Sequence, residues 1–244
     1  MLNSCIEPHL LGEIDIKQHF PKQRFVIASD FDGTLKEKGK PVSKVVLDYL
    51  CMLKKKGIGL ILVTGRCLKE LSSLIDTSMF DAIVVENGAI VISYGNVVNL
   101  APANWSDVRK ELVAKYGTGC EEVIISLPRE TVVDIKLIQK DTVSIEYNKD
   151  RVMILPKGVS KGSGLSSALK ILGWEGRKLI CAGDGENDLS MLLQADYKIA
   201  LKNSVEQLKG IANFVAEEED GDGFVNALRY FFDEVSSGSR ILSV

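Results

Sequence analysis

Arg24-Phe25-Val26-Ile27-Ala28-Ser29-Asp30-Phe31-Asp32-Gly33-Thr34 decides the fold. A short apolar run without polar alternation reads as a parallel strand buried on both faces. It delivers Asp30 at its C-terminal end, and Gly33 permits the chain to turn there. On a strand, Asp30 and Asp32 would share a face. A catalytic role for the pair makes Asp30 a nucleophile that attacks phosphorus and becomes an aspartyl phosphate. Asp32 then protonates the leaving oxygen and later deprotonates the attacking water. The alternative, on these residues alone, is an ordinary Asp-Gly turn after a strand.

The same pattern repeats outward from that strand. Ser43 is placed to cap a helix whose apolar positions 46, 49, 50 and 53 share one face, with Gly57 just past its end. Ile58 to Val63 is a second strand, ending at Thr64-Gly65-Arg66, and residues 67–75 read as helix. Ala82 to Val85 is a third strand, ending at Glu86-Asn87-Gly88-Ala89. Further on, Gly162 to Leu172 reads as helix, Lys178 to Ala182 as strand and Leu189 to Gln194 as helix. Tyr197 to Leu201 is a strand, Val205 to Lys209 a helix and Ala212 to Val215 a short strand. A helix over 224–235 closes the pattern, with Phe224, Leu228, Phe231 and Phe232 near one side. Strands alternating with helices predict a doubly wound parallel α/β sheet whose C-terminal strand ends share one edge.

The middle of the chain differs. It reads as helix at 105–116, with Trp105 and Tyr116 in its core, then strand at 122–127. A hairpin-like pair follows, 143–147 and 151–155, around Asn148-Lys149-Asp150. Residues 130–139 stay open between strand, by propensity, and helix, by the spacing of Val133, Leu137 and Ile138. This is the signature of a small inserted α+β domain. The expected organisation is a core at 24–89 and 157–235, an insert at 90–156, an N-terminal extension at 1–23 and a flexible tail at 236–244.

Composition narrows the chemistry. The 244 residues carry 30 Lys and Arg against 33 Asp and Glu, a net charge of −3, so no global positive field draws the chain to nucleic acid or anionic membranes. Apolar residues make up 45%, enough for a sizeable core. No apolar run approaches the ~20 residues of a membrane helix, and residues 1–23 lack the pattern of a secretory signal. The only histidines, His9 and His19, precede every motif, which excludes a His-based zinc site or Ser-His-Asp triad in the body of the chain. The five cysteines, 5, 51, 67, 120 and 181, form no CxxC pair. Cys51 and Cys181 read as core thiols, and the set fits a reducing cytoplasm. Gly158 to Ser163 lacks the P-loop pattern, and position 188 is Asp where a dinucleotide fingerprint needs glycine. Glu217 to Asp220 reads as a solvated acidic loop.

Asp30-Phe-Asp-Gly-Thr34 after an apolar strand resembles the first motif of the haloacid dehalogenase-like superfamily of phosphohydrolases. Three further motifs follow in order: Thr64-Gly65, Lys161 at a helix start, and Gly183-Asp184-Gly185-Glu186-Asn187-Asp188. The resemblance implies that Thr64, Gly65 and Lys161 bind phosphoryl oxygens. It implies a Mg²⁺ site on Asp30, the carbonyl of Asp32, and Asp184, with Asp188 bound directly or one step behind. Asn187 would contact phosphate or orient Asp30. Arg66 is open between substrate and surface. Glu86-Asn87-Gly88-Ala89 resembles the signature of the subclass with a type IIB cap, which includes Cof-like sugar-phosphate phosphatases and archaeal phosphoglycolate phosphatases. The implied activity is hydrolysis of small phosphorylated metabolites; a phosphotransferase or mutase, and a non-catalytic scaffold, are the alternatives. Cap residues would choose the leaving group, and Arg129, Lys136 and Arg151 are the cationic candidates. No nucleic acid or membrane partner is expected, and monomer and homodimer stay equally open.

Overall fold

The computed structural model describes residues 25–133 and 141–236. The N-terminal extension, Lys136, most of the ambiguous 130–139 stretch and the tail from 237 lie outside the described residues. The core begins with β1 (Phe25–Ser29), α1 (Lys44–Lys55), β2 (Gly59–Val63), α2 (Leu68–Leu71) and β3 (Ala82–Val85). A hairpin follows, β4 (Ile90–Ser93) and β5 (Asn96–Asn99), then α3 (Trp105–Tyr116). Next come β6 (Ile125–Pro128), β7 (Val143–Asn148) and β8 (Arg151–Pro156). The chain returns with α4 (Lys161–Leu172), β9 (Lys178–Gly183), α5 (Leu189–Leu192) and β10 (Tyr197–Ala200). It ends with α6 (Glu206–Lys209), β11 (Phe214–Val215) and α7 (Asp220–Ser236).

Eight strands form one sheet in the order β11-β10-β9-β1-β2-β3-β4-β5, parallel from β11 to β3. Alternate residues of β1 serve opposite faces, as a strand requires. Phe25 and Ile27 join the cluster that holds Val46, Tyr49, Leu50 and Leu53 of α1 and the four aromatic and leucine positions of α7. Val26 and Ala28 join Leu165 and Ala168 of α4 and Met191 and Leu192 of α5. The predicted face of α1 is thus the buried one, and Ser43 accepts from the Val46 N–H at 3.3 Å. Gly57 follows with φ +79.

Two expectations are corrected. The helix read at 67–75 is regular over only four residues, Leu68–Leu71; the N–H groups of Ser73 and Leu74 then bond three residues back, to the Glu70 and Leu71 carbonyls. The insert edge at 90 falls inside the eight-stranded sheet. β4 pairs antiparallel with β3, and β5 with β4, through a two-residue turn at Tyr94 and Gly95, both with positive φ. The separate part of the insert is the three-stranded antiparallel sheet β6-β8-β7 with α3 against it. Trp105 is buried, and its Nε1 donates to the Val123 carbonyl at 2.9 Å.

Register positions the site. Ser29 lies opposite Leu62 of β2 and Ala182 of β9, so three adjacent strands finish level. The residues just beyond them are Asp30, Thr64 and Asp184.

Candidate active site

Asp30 leaves β1 with its N–H bonded to the Ala182 carbonyl at 3.0 Å, and its side chain is buried. The next turn is closed by the N–H groups of Leu35 and Lys36 on the Phe31 carbonyl. Gly33 sits in it with φ +85, where a Cβ would come within 2.2 Å of the Asp184 carboxylate. Glycine therefore serves the turn and the approach of Asp184 together.

Lys161 opens α4 behind a capping box made by Ser160 and Ser163. Its ammonium, 1% exposed, lies 2.6 Å from Asp30 Oδ1 and 2.6 Å from Asp188 Oδ1. Burial favours the neutral amine, but the two carboxylates outweigh it and hold Lys161 above the ordinary lysine range. Burial raises Asp30 well above the usual carboxylate range. Lys161 opposes this, while Asp188 and Asp184 add to it. Asp184 is raised too, by burial and by Asp188. Asp188 Oδ2 accepts the N–H groups of Asp184 and Gly185, both at 2.9 Å, which folds the acidic loop back on itself.

Asp32 is in a different environment. Arg66 grips it with Nε 2.5 Å from Oδ2 and Nη2 3.0 Å from Oδ1, and the buried Lys36 donates to Oδ1 at 3.0 Å. Burial pushes Asp32 up, but the two cations prevail and its pKa falls below the usual carboxylate value. The side chain left open in sequence, Arg66, is thus a partner of Asp32. Thr64 is buried beside it, its Oγ1 accepting from the Arg66 N–H at 3.2 Å.

The inserted sheet closes over these residues. Together they border a cavity of about 630 Å³ lined by Asp30, Asp32, Thr64, Arg66, Asp184 and, from the insert, Arg151. The hairpin turn at Asn148 to Asp150 reaches the core. Lys149 donates to Asp184 and, at 3.1 Å, to the Asn203 carbonyl. Its backbone N–H meets Glu186 at 2.8 Å, and Arg129 takes the other oxygen of Glu186 at 2.8 Å. Arg129 is therefore engaged by the core, whereas Arg151 faces the cavity and braces Ser126. Gly65 lies under Met153 of the inserted sheet. Asn187 donates to Asn87 at 2.7 Å, and its buried Oδ1 has no partner.

The signature Glu86-Asn87-Gly88-Ala89 is legible in sequence, but the partners of its residues are not. Glu86 is buried, and its carboxylate accepts the N–H groups of Glu122, Val123 and Ile124 at 2.7 to 3.1 Å. Asn87 donates to Glu146 of β7 at 2.6 Å. Gly88 follows with φ +103. A Cβ on it would meet the Ser160 carbonyl at 1.8 Å, and one on Gly164 would meet Gly88 Cα at 2.6 Å. The turn before the insert and the helix carrying Lys161 thus touch backbone to backbone. Lys149 and Asn203 carried no sequence signal, because Asp184 and the Gly33 carbonyl, their partners, are brought near only by the fold; Lys36 is four residues from Asp32 but stands outside the motifs.

The cysteine pattern is also corrected. Cys67, next to Arg66, is bonded to Cys120 in the loop between α3 and β6, with Cα atoms 6.2 Å apart. Cys181 is the expected buried thiol, but Cys51 is half-buried and not free. Among the described residues, no helix is long and apolar enough to cross a membrane.

Asp30, Asp184 and Asp188 offer carboxylate oxygens within 4.8 Å of one another, a group that could hold a metal ion. A buried carboxylate at the end of the first strand, paired with a buried lysine from α4 and with a second acid beside it, thus faces a cavity under the inserted sheet. The haloacid dehalogenase-like hydrolase family matches residues 27–121 and 130–228, and the chain belongs to that family. A phosphoglycolate phosphatase of Sulfurisphaera tokodaii is 31% identical over 226 residues, covering 89% of this chain and 98% of the relative. Among solved structures, a Thermoplasma acidophilum protein superposes with TM-score 0.70 at 17% identity, over 86% of this chain and 98% of that one. A subclass IIB sugar phosphatase superposes with TM-score 0.66 at 21% identity, over 85% and 98%.

Proposed function

We propose that this protein is a metal-dependent phosphatase that hydrolyses small phosphate monoesters, sugar phosphates or phosphoglycolate-like compounds, through an aspartyl phosphate. The observation that carries this is Asp30, held against Lys161 at the end of β1 and facing the same cavity as Asp32 and Thr64. An Asp30 oxygen attacks phosphorus as the bond to the leaving oxygen breaks. Asp32 is the group placed to give that oxygen its proton, once substrate binding loosens the Arg66 and Lys36 contacts that hold it ionised and lets it take a proton up. Water then attacks the phosphorus of the acyl phosphate, Asp32 takes a proton from it, and the Asp30 carboxylate is restored with release of phosphate. The Thr64 hydroxyl, the Gly65 N–H and the Lys161 ammonium hold the phosphoryl oxygens. Asn187, whose buried Oδ1 has no partner, contacts phosphate or orients Asp30.

The donor set suits Mg²⁺: hard carboxylate oxygens of Asp30 and Asp184 plus the Asp32 carbonyl, with Asp188 bound directly or one step behind. The site already draws positive charge, since Lys149 reaches Asp184 from the insert. When bound, Mg²⁺ supplies charge neutralisation between these carboxylates and the anionic substrate. The insert acts as a cap that shields the site and selects the leaving group. The Cys67–Cys120 bond weighs against the reducing cytoplasm read from the cysteine pattern. A phosphotransferase would use the same residues and differ only in the acceptor of the phosphoryl group.

Hydrolysis of p-nitrophenyl phosphate and of a metabolite panel, with and without Mg²⁺, tests this. Wild type should turn over only with the metal, and Asp30→Asn should lose at least about a thousandfold. Undiminished turnover by Asp30→Asn would sink the mechanism; inactivity on every ester would sink the function.

A further inference from the structure

The Cys67–Cys120 bond joins the catalytic core to the loop that leads into the inserted sheet. Cys67 directly follows Arg66, which grips Asp32, and lies three residues past Thr64. Cys120 belongs to the loop between α3 and β6, next to Glu121, which lines the cavity. The segment just beyond it, Glu122 to Ile124, is the one whose N–H groups rest on Glu86. The loop is therefore attached to the core twice, once by hydrogen bonds that can open and once by a covalent bond that cannot. Further core contacts of the insert, among them Arg129 and the Lys149 N–H with Glu186, Lys149 with Asp184, and Asn87 with Glu146, are also noncovalent.

We propose that Cys67 and Cys120 form a reversible thiol–disulfide latch that holds the cap on the catalytic core. The phosphatase assignment matters only to its activity readout. The two residues differ in access: Cys67 is 3% exposed, while Cys120 is half-buried. A thiolate of an external dithiol, small molecule or protein, attacks Cys120 Sγ, and Cys67 Sγ leaves as the thiolate and takes a proton. The second thiol of the reductant then attacks the mixed disulfide and releases Cys120. Two electrons and two protons pass to the chain, and the reductant leaves as its own disulfide. Oxidation is the reverse exchange with an oxidised dithiol. Reduced, the loop and the insert are held only by hydrogen bonds and ion pairs that can open; oxidised, opening is restrained, and with it the exchange of substrate and product.

The full chain, equilibrated in reduced or oxidised dithiothreitol, provides the test. Alkylation followed by peptide mass mapping should find 67 and 120 linked in the oxidised sample and both alkylated in the reduced one. Hydrogen exchange at Glu122, Val123 and Ile124 should be slower when oxidised. Turnover of a metabolite ester should fall on oxidation and return on reduction, with kcat changing more than KM. Cys120→Ser should abolish all of these responses, and Cys67→Ser should do the same. The latch is overturned if the pair stays as thiols in oxidant. It is overturned equally if reduced Cys67, Cys120 and Glu70 take up zinc and resist oxidation, or if the bond forms without slowing exchange in the loop. If exchange responds but no ester is turned over in either state, the latch stands and the phosphatase assignment fails.

Discussion

Lys161 answers two buried carboxylates with one charge, 2.6 Å from each of Asp30 and Asp188. Removing one partner of such a cluster leaves uncompensated charge in a low dielectric. Lys161→Ala should lose about 3–5 kcal/mol of stability in urea unfolding without divalent cation. A loss within experimental error would mean that the carboxylates take up protons at no cost. The residues of the first motif could be read from sequence because a strand and its turn hold them in one short segment. The same holds for Asp184 and Asp188, folded together by the N–H groups of their own loop. Lys149 could not be read that way. It lies 35 residues from Asp184, and only the docking of the hairpin turn brings them together. Glu86 reads as part of a signature, but its three N–H partners lie 36 to 38 residues away.

At the opposite edge of the sheet, one device occurs twice. Asp81, just before β3, accepts the Leu60 N–H at 2.9 Å and pairs with Lys54. Asp196, just before β10, accepts the Leu179 N–H at 2.8 Å and pairs with Lys178. Each acid ties the start of one parallel strand to its neighbour. Burial raises Asp196, but Lys178 and the Leu179 N–H outweigh it and lower its pKa. A carboxyl lowered in the fold contributes stability above its unfolded pKa, and the contribution fades as pH falls through that value toward the folded one. Asp196→Asn should therefore be less stable than wild type in urea at pH 7, and the two should converge below about pH 4. A gap that persists in acid would mean the hydrogen bond, not the charge, matters. Strand and helix identities were legible here because period and caps agree locally. The membership of β4 and β5 was not. A hairpin of four-residue strands looks alike in sequence whether it extends the core sheet or starts an insert, and the choice is made by pairing with β3.

Across the whole molecule, the site is an acidic centre in a chain of net charge −3. Asp30, Asp184 and Asp188 repel one another in the fold, and a divalent cation that binds only the folded chain relieves this. Saturating Mg²⁺ should raise the thermal midpoint by several degrees, about 2.7 kcal/mol at a hundredfold excess over Kd. Chelation should reverse it, and Asp184→Asn should blunt it. An unchanged midpoint with Mg²⁺ and Mn²⁺ would show that Lys161 and Lys149 already satisfy the cluster. The cysteines show the limit of composition at this scale. Their spacing has no local pattern, and only the position of the cap relative to the core makes partners of 67 and 120.

The backbone contact between Gly88 and Gly164 sets how close α4, and so the Lys161 ammonium, stands to Asp30. In a saturation-mutagenesis map scored by activity, these two glycines would stand out as sharply as the aspartates. Ranking positions by intolerance alone would then count spacers among the chemical groups.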